Sequence, residues 1–133
     1  MKPNLNILNV ENGTNDYGLL VNAFEKRGCH IITSFNAKDA LKQTLTKRLS
    51  AIVLDLNLPE INGIELCKII RTFDIRTPII FYSAETNPIF IKAAINAGAN
   101  NYLIKPRDLL TLIETVFVNK SEQLSMNKSI SFV

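Results

Sequence analysis

Polar side chains that could form a ligand-binding site occur at regular places in this chain of 133 residues, at the ends of short apolar runs. Glu11 and Asn12 follow the first run, Asp55 follows the third, Ser83 ends the fourth and Lys105 follows the fifth. Two carboxylates, an amide, a hydroxyl and an ammonium group offer a polar ligand both charge and hydrogen bonds. If the runs are parallel strands, these groups share the carboxyl edge of the sheet, where open α/β sheets bind ligands.

Asp55 is the central candidate among these residues. The preceding segment, Ala51–Leu54, is wholly apolar, as in a strand that is buried on both faces. Residues 56–63 contain Asn, Pro and Gly, so the chain turns directly after the acid. An isolated aspartate at such a place would more often cap the next helix. The polar groups at the ends of the other strands favour a functional role instead.

The elements that must position these groups alternate along the chain. We predict strands at Leu5–Val10, Cys29–Ser34, Ala51–Leu54, Thr77–Ser83 and Asn101–Ile104. We predict helices at Asp16–Arg27, Asn36–Lys47, Gly63–Thr72, Pro88–Ala97 and Arg107–Val118. This alternation is typical of a parallel sheet with helices on both faces and right-handed crossovers.

Capping residues and apolar spacing predict where the helices end and which of their faces point inward. Thr14 or Asn15, then Asn36 and Asn87, are predicted N-caps, and glycines end the first and fourth helices. The expected inward faces of the first three helices comprise Leu20, Val21 and Phe24; Ala37, Ala40, Leu41 and Leu45; and Ile64, Cys67 and either Ile69 or Ile70.

The composition indicates one soluble domain. Hydrophobic residues make up 47% and charged residues 20%, and the net charge of +3 comes from basic residues that form no block. We therefore expect no nucleic-acid binding by this domain and no membrane association. The N-terminus lacks a signal-peptide core, so we expect a cytoplasmic protein. Cys29 and Cys67 should be reduced and packed, and His30 should be a strand residue.

The motifs together resemble the receiver domains of response regulators in two-component signalling. They are Ile-Val-Leu-Asp-Leu-Asn-Leu-Pro (52–59) with Asn-Gly (62–63), Tyr-Ser-Ala (82–84), Ala-Gly-Ala (97–99) and Tyr-Leu-Ile-Lys-Pro (102–106). The resemblance covers Leu5 to Val118. It implies a flavodoxin-like (βα)5 fold with strand order 2-1-3-4-5, in which the first and third strands are neighbours. That order would bring Glu11 close to Asp55.

The resemblance also implies roles for individual residues. Asp55 would be the phosphoacceptor, because a carboxylate can attack phosphorus and form an acyl phosphate. Mg²⁺ and Lys105 would neutralise the phosphoryl oxygens. Oxygen ligands for Mg²⁺ would come from Glu11, Asn12, Asp55 and the backbone carbonyl of Asn57.

A switch follows from the same resemblance. Ser83 would hydrogen-bond the phosphoryl group and Tyr102 would move inward with it, although Tyr102 also fits an ordinary half-buried strand residue. The resemblance also implies a cis bond between Lys105 and Pro106. Two residues depart from the family pattern: Asn12 replaces the second acid of an acidic pair, and Arg107 stands where many receivers have an aromatic residue.

We therefore expect a receiver domain at residues 1–118 and a polar tail or linker at 119–133, with no output domain in this chain. It would be phosphorylated on Asp55 by a histidine kinase or phosphotransfer protein, and it would not be an enzyme. Both a stand-alone regulator and a piece of a larger kinase or regulator fit the sequence.

The predicted helices in Pro88–Val118 carry more apolar residues than one core-facing stripe needs, among them Ile89, Phe90, Leu110 and Phe117. This predicts either extra core burial or a face for a homodimer or downstream protein.

Two alternatives remain at this stage. The first is a receiver-like interaction module that works without phosphorylation, which Asn12 favours and the set of Asp55, Ser83 and Lys105 opposes. The second is a flavin-binding electron carrier of the same fold class. Such a carrier needs a phosphate-binding loop after the first strand, where this chain has Glu11.

Overall fold

The computed structural model of the protein describes residues 5–13 and 17–119. The strands are β1 (Asn6–Val10), β2 (His30–Ser34), β3 (Ala51–Leu54), β4 (Ile79–Ser83) and β5 (Asn101–Ile104). The helices are α1 (Tyr17–Lys26), α2 (Ala37–Thr46), α3 (Gly63–Arg71), α4 (Pro88–Asn96) and α5 (109–119). The predicted alternation is confirmed. The predicted cap at Thr14 or Asn15, the predicted helix start at Asp16 and the tail from residue 120 lie outside the described residues.

All five strands are parallel and follow the order β2-β1-β3-β4-β5. In the register of the two central strands, Val10 pairs with Leu54. Glu11 and Asp55 each follow directly, and the backbone N–H of Asp55 donates to the carbonyl of Val10 at 2.9 Å. The sheet order therefore places the two acids side by side, as the resemblance implied.

The sheet is buried on both faces, which explains its apolar strands. One core cluster contains Leu8, Val10, Ile52 and Leu54 with residues of α2, α3 and α4. The other contains Leu5, Ile7, Val53 and Ile80 with residues of α1 and α5. Alternate residues of β1 thus point to opposite faces, and Asn9 and Glu11 continue the row of Leu5 and Ile7.

The helix termini match the predicted caps. The side chains of Asn36 and Asn87 accept from the backbone N–H groups of Asp39 at 2.8 Å and Ile89 at 3.0 Å. Gly28 follows α1 with φ of 83°, and Gly98 follows α4 with φ of 114°. Glycine adopts these left-handed conformations without the penalty of a Cβ.

One inward-facing residue was predicted wrongly. Leu45 is 67% exposed, whereas Ala37 and Ala40 are buried. At about 100° per residue, Leu45 lies roughly 80° around the helix from Ala37 and falls at the rim of the buried stripe. In α3 the choice between two isoleucines is resolved, because Ile70 is buried and Ile69 is exposed.

The last helix begins later than predicted. Residues 105–108 form a turn, and the first helical hydrogen bond runs from the N–H of Leu112 to the carbonyl of Asp108 at 2.8 Å. Arg107 lies on this turn, where its side chain is exposed and pairs with Asp108 at 3.0 Å. Arg107 therefore does not contribute to the core.

The remaining single-residue expectations agree with the structure. Cys29 and Cys67 are buried free thiols, and His30 is an exposed residue of β2. No helix within residues 5–13 and 17–119 is both long enough and apolar enough to cross a bilayer.

Candidate functional site

Three charged side chains meet at the carboxyl edge of the sheet. The Nζ atom of Lys105, after β5, lies 3.0 Å from Oδ2 of Asp55 and 3.8 Å from Oε2 of Glu11. Both acids are buried, and the lysine side chain is 16% exposed. Three predicted site residues, each directly after a different strand, thus form one cluster.

The cluster carries more negative than positive charge. Two carboxylates share one ammonium group, and Oε1 of Glu11 has no hydrogen-bond partner within the described part of the chain. Burial raises the pKa of Glu11, and the charge of Asp55 acts in the same direction, while Lys105 and a side-chain contact with Asn9 lower it. A cation near Glu11 would offset the free-energy cost of burying its charge and would give Oε1 a partner.

The available donors are oxygens. Within residues 5–13 and 17–119, no group of three or more His, Cys, Asp or Glu side chains is arranged to hold a metal ion. The site offers the carboxylates of Glu11 and Asp55, and Asn12 lies half-buried next to Glu11. The backbone N–H of Asn57 is 3.4 Å from Oδ1 of Asp55, so the turn containing Asn57 is adjacent. Oxygen donors of this kind fit Mg²⁺, which is bound through one or two carboxylates and keeps several waters.

The turn after Asp55 depends on a glycine. A Cβ on Gly63 would lie 2.2 Å from the backbone oxygen of Asp55. The N–H of Gly63 donates to the carbonyl of Leu56 at 2.7 Å, and Glu60 in the same turn has a positive φ of 71°. The N-terminus of α3 is therefore packed directly against the backbone of Asp55, at a distance that only glycine permits.

Ser83 and Tyr102 lie on the neighbouring strands. Ser83 is buried, and its Oγ accepts from the N–H of Glu85 at 3.3 Å. The ring of Tyr102 stacks on Phe81 with centroids 5.7 Å apart, and its hydroxyl donates to the carbonyl of Glu85 at 2.8 Å. Burial raises the pKa of Tyr102, and a contact with Ser83 opposes this. Both residues are thus connected to the loop that follows β4.

A cavity of about 250 Å³ opens beside the charged cluster, between α1 and the turn after β5. Its walls include Leu20, Tyr82 and Leu109, and its polar lining includes Asn9 as well as the three charged residues. The peptide bond between Lys105 and Pro106, at the same turn, is cis. Sequence reasoning did not select Asn9 or Tyr82. The available signal was the amide of Asn9 between the apolar residues Leu8 and Val10 of β1.

The comparison with protein families identifies this arrangement. A family model described as the response regulator receiver domain matches residues 7–117. The chain belongs to this family. It is a receiver domain of two-component response regulators, and the fold, strand order and family expected from the motifs are confirmed.

Relatives of this receiver domain are response regulators. The chain is 40% identical over 86 residues to the transcriptional regulatory protein CrdR of Helicobacter pylori, a match that covers 64% of this chain and 40% of CrdR. It is 33% identical over 110 residues to the response regulator ArlR of Staphylococcus aureus, with 83% of this chain and 50% of ArlR covered. The matches thus span half or less of these relatives.

A solved receiver-domain structure has the same fold as this chain, and the match covers nearly all of the solved structure. The receiver domain of the Francisella response regulator 1452 superimposes with a TM-score of 0.82 at 28% identity, and the match covers 90% of this chain and 98% of that one. The receiver family acts as a phosphoacceptor switch and is not a classical enzyme family.

Proposed function

We propose that this receiver domain accepts a phosphoryl group on the carboxylate of Asp55 and that the modification changes a partner-binding face. The observation that carries the proposal is the contact of 3.0 Å between Lys105 Nζ and Asp55 Oδ2, at a buried edge that also holds Glu11. A buried carboxylate beside a fixed ammonium group is suited to phosphoryl transfer, since catalysis there consists mainly of positioning and charge stabilisation.

The two oxygens of Asp55 would have different roles. Oδ2 contacts Lys105, whereas the contact of Oδ1 within the described part of the chain is a long one, 3.4 Å from the N–H of Asn57. Oδ1 is therefore the better nucleophile: it attacks phosphorus, an acyl phosphate bond forms, and the bond to the donor's leaving group breaks. Lys105 then stabilises negative charge on the transferred group. The proposed donor is a histidine kinase or a phosphotransfer protein.

Mg²⁺ is the proposed cofactor. The residues that would hold it are Glu11, Asn12, Asp55 and the backbone carbonyl of Asn57. When bound, the ion supplies charge neutralisation at the phosphoryl oxygens. Oε1 of Glu11 has no hydrogen-bond partner within the described residues, which supports this assignment, because a buried carboxylate is stabilised by a nearby cation.

The proposed switch links Ser83 to Tyr102. After transfer, the Ser83 hydroxyl would donate to a phosphoryl oxygen and give up its contact with the N–H of Glu85. The hydroxyl of Tyr102 donates to the carbonyl of Glu85. A movement of the loop that contains Glu85 would therefore change the position of Tyr102 on β5. The interpretation of Tyr102 as an ordinary half-buried strand residue predicts no such movement.

The proposed output surface is formed by Pro88–Val118. Ile89 is 74% exposed and Leu110 is 79% exposed, and Phe90 is also exposed. Extra core burial does not explain these residues, although Phe117 does pack partly against the core. An exposed apolar surface of this kind is typical of a protein-interaction site. A second copy of the chain or a downstream protein would bind there.

We place the receiver domain at residues 1–118 and a polar tail or linker at 119–133, in a cytoplasmic protein. The family match at 7–117 supports these bounds of the receiver domain. The name of the relative CrdR, a transcriptional regulatory protein, suggests regulation of transcription as the output of the whole protein, although the match covers only 40% of CrdR.

Intact-mass measurement tests the proposal. Incubation with a small phosphodonor and Mg²⁺ should add one base-labile phosphoryl group to the wild type and none to Asp55→Asn. The alternative, an interaction module that works without phosphorylation, is favoured by Asn12, which leaves the site one carboxylate fewer. That alternative predicts no gain in either protein. An equal gain in Asp55→Asn would disprove the assignment of Asp55.

A further inference from the structure

Asn9 is a buried amide in a row of apolar side chains. It follows Leu5 and Ile7 on the face of β1 that packs against α1 and α5, and it is 3% exposed. Its Nδ2 is buried and has no hydrogen-bond partner within residues 5–13 and 17–119. An amide without a partner costs free energy at a site where valine or leucine would pack without penalty, so packing alone does not account for it.

Glu11, two residues after Asn9, also has a buried polar side-chain atom. Glu11 lies on the same face because side chains of an extended strand alternate, and the N–H of Glu11 continues the β ladder by donating to Ser34 at 3.0 Å. Among the described residues, Oε1 of Glu11 is also buried without a hydrogen-bond partner, while Oε2 lies 3.8 Å from Lys105. Nδ2 of Asn9 thus offers a donor and Oε1 of Glu11 an acceptor, and the two side chains lie close enough for Asn9 to lower the pKa of Glu11. Both residues line the cavity of about 250 Å³, which leaves room for their side chains to rotate.

We propose that Asn9 is a positioning residue of the phosphorylation site, whose side-chain amide donates a hydrogen bond to Oε1 of Glu11 and so orients the carboxylate for the bound cation. This inference rests on the proposed role of Glu11 in binding Mg²⁺. Groups that orient a metal ligand in this way affect affinity strongly, and their loss costs roughly tenfold to a hundredfold in metal binding.

Two substitutions of nearly equal shape separate the hydrogen bond from packing. Asn9→Val removes the donor, and Asn9→Thr keeps a hydroxyl donor in the same volume. We expect Asn9→Val to weaken Mg²⁺ binding by about tenfold and Asn9→Thr to restore at least part of the loss. Thermal unfolding without metal should show that Asn9→Val is still folded, because valine fits the apolar row formed by Leu5 and Ile7. A purely structural role for Asn9 predicts a change in stability without a change in Mg²⁺ affinity.

Calorimetric titration with Mg²⁺ alone, on wild type, Asn9→Val, Glu11→Gln and the double variant, completes the test. The proposal requires that Asn9→Val has no further effect once Glu11 is glutamine. A change of less than twofold in Asn9→Val, or an equal loss in both backgrounds, overturns it. If Glu11→Gln itself leaves the affinity unchanged, the proposed metal role of Glu11 fails, which is distinguishable from a failure that is confined to Asn9.

Discussion

Replacement of Asn12 by aspartate should tighten Mg²⁺ binding. Glu11, Asp55 and Lys105 give the described cluster two negative charges and one positive charge, and Asn12 adds only neutral amide groups. Asn12→Asp would add a third carboxylate next to Glu11. Because Mg²⁺ prefers charged oxygen ligands, the new carboxylate should stabilise the metal-bound protein more than the metal-free protein.

The magnitude follows from Coulomb's law. Two unit charges about 4 Å apart interact by roughly 4 kcal/mol at an effective dielectric of about 20, before screening and desolvation. The new carboxylate also repels Glu11 and Asp55, which should lower the stability of the metal-free protein, and Lys105 offsets only part of that repulsion. A net gain of about 1.4 kcal/mol corresponds to tenfold in affinity. We therefore expect Mg²⁺ to bind at least about tenfold more tightly and to restore the lost stability.

The assay is a Mg²⁺ titration at fixed ionic strength of wild type, Asn12→Asp and Glu11→Gln. Glu11→Gln should bind more weakly than wild type, because it removes one of two remaining acids. At limiting Mg²⁺, Asn12→Asp should also be phosphorylated faster than wild type. Equal affinities for wild type and Asn12→Asp would refute the reasoning, since they would mean that position 12 does not face the metal.

Three other substitutions test the geometry, and two of them have a matched control substitution. Gly63→Ala should lower the free energy of unfolding by about 2 kcal/mol or more and slow phosphorylation, since its Cβ would lie 2.2 Å from the Asp55 oxygen. Gly18→Ala, in α1, meets nothing within 4 Å and should be neutral or stabilising by up to about 1 kcal/mol in the same denaturant titration. Lys105→Met should slow phosphorylation by about tenfold or more yet tighten Mg²⁺ binding, and unchanged values of both would contradict its proposed role. Leu110→Ser should weaken self-association or partner binding of the phosphorylated protein in sedimentation experiments. Leu45→Ser, which changes another exposed leucine, should have no such effect.

The amino-acid sequence determined the elements and the ends of the strands. Apolar runs of strand length, helical spacing and asparagine caps act locally, so the five strands and five helices were predicted with shifts of at most a few residues. Because parallel strands deliver their last residues to one edge, the sequence also predicted that Glu11, Asp55, Ser83 and Lys105 would lie along that edge. The strand order came from the resemblance to receivers, because local patterns do not encode which strands are neighbours.

Only the tertiary structure decided how the side chains pair and which are buried. The approach of Lys105 to Asp55 at 3.0 Å joins residues that are 50 positions apart, and no local preference sets that distance. The exposure of Leu45 depended on where the packed stripe of α2 ends. The burial of the Asn9 amide without a hydrogen-bond partner among the described residues became visible only once its neighbours were in place. Burial and hydrogen bonding are properties of the surroundings of a residue, and those surroundings are assembled from distant parts of the chain.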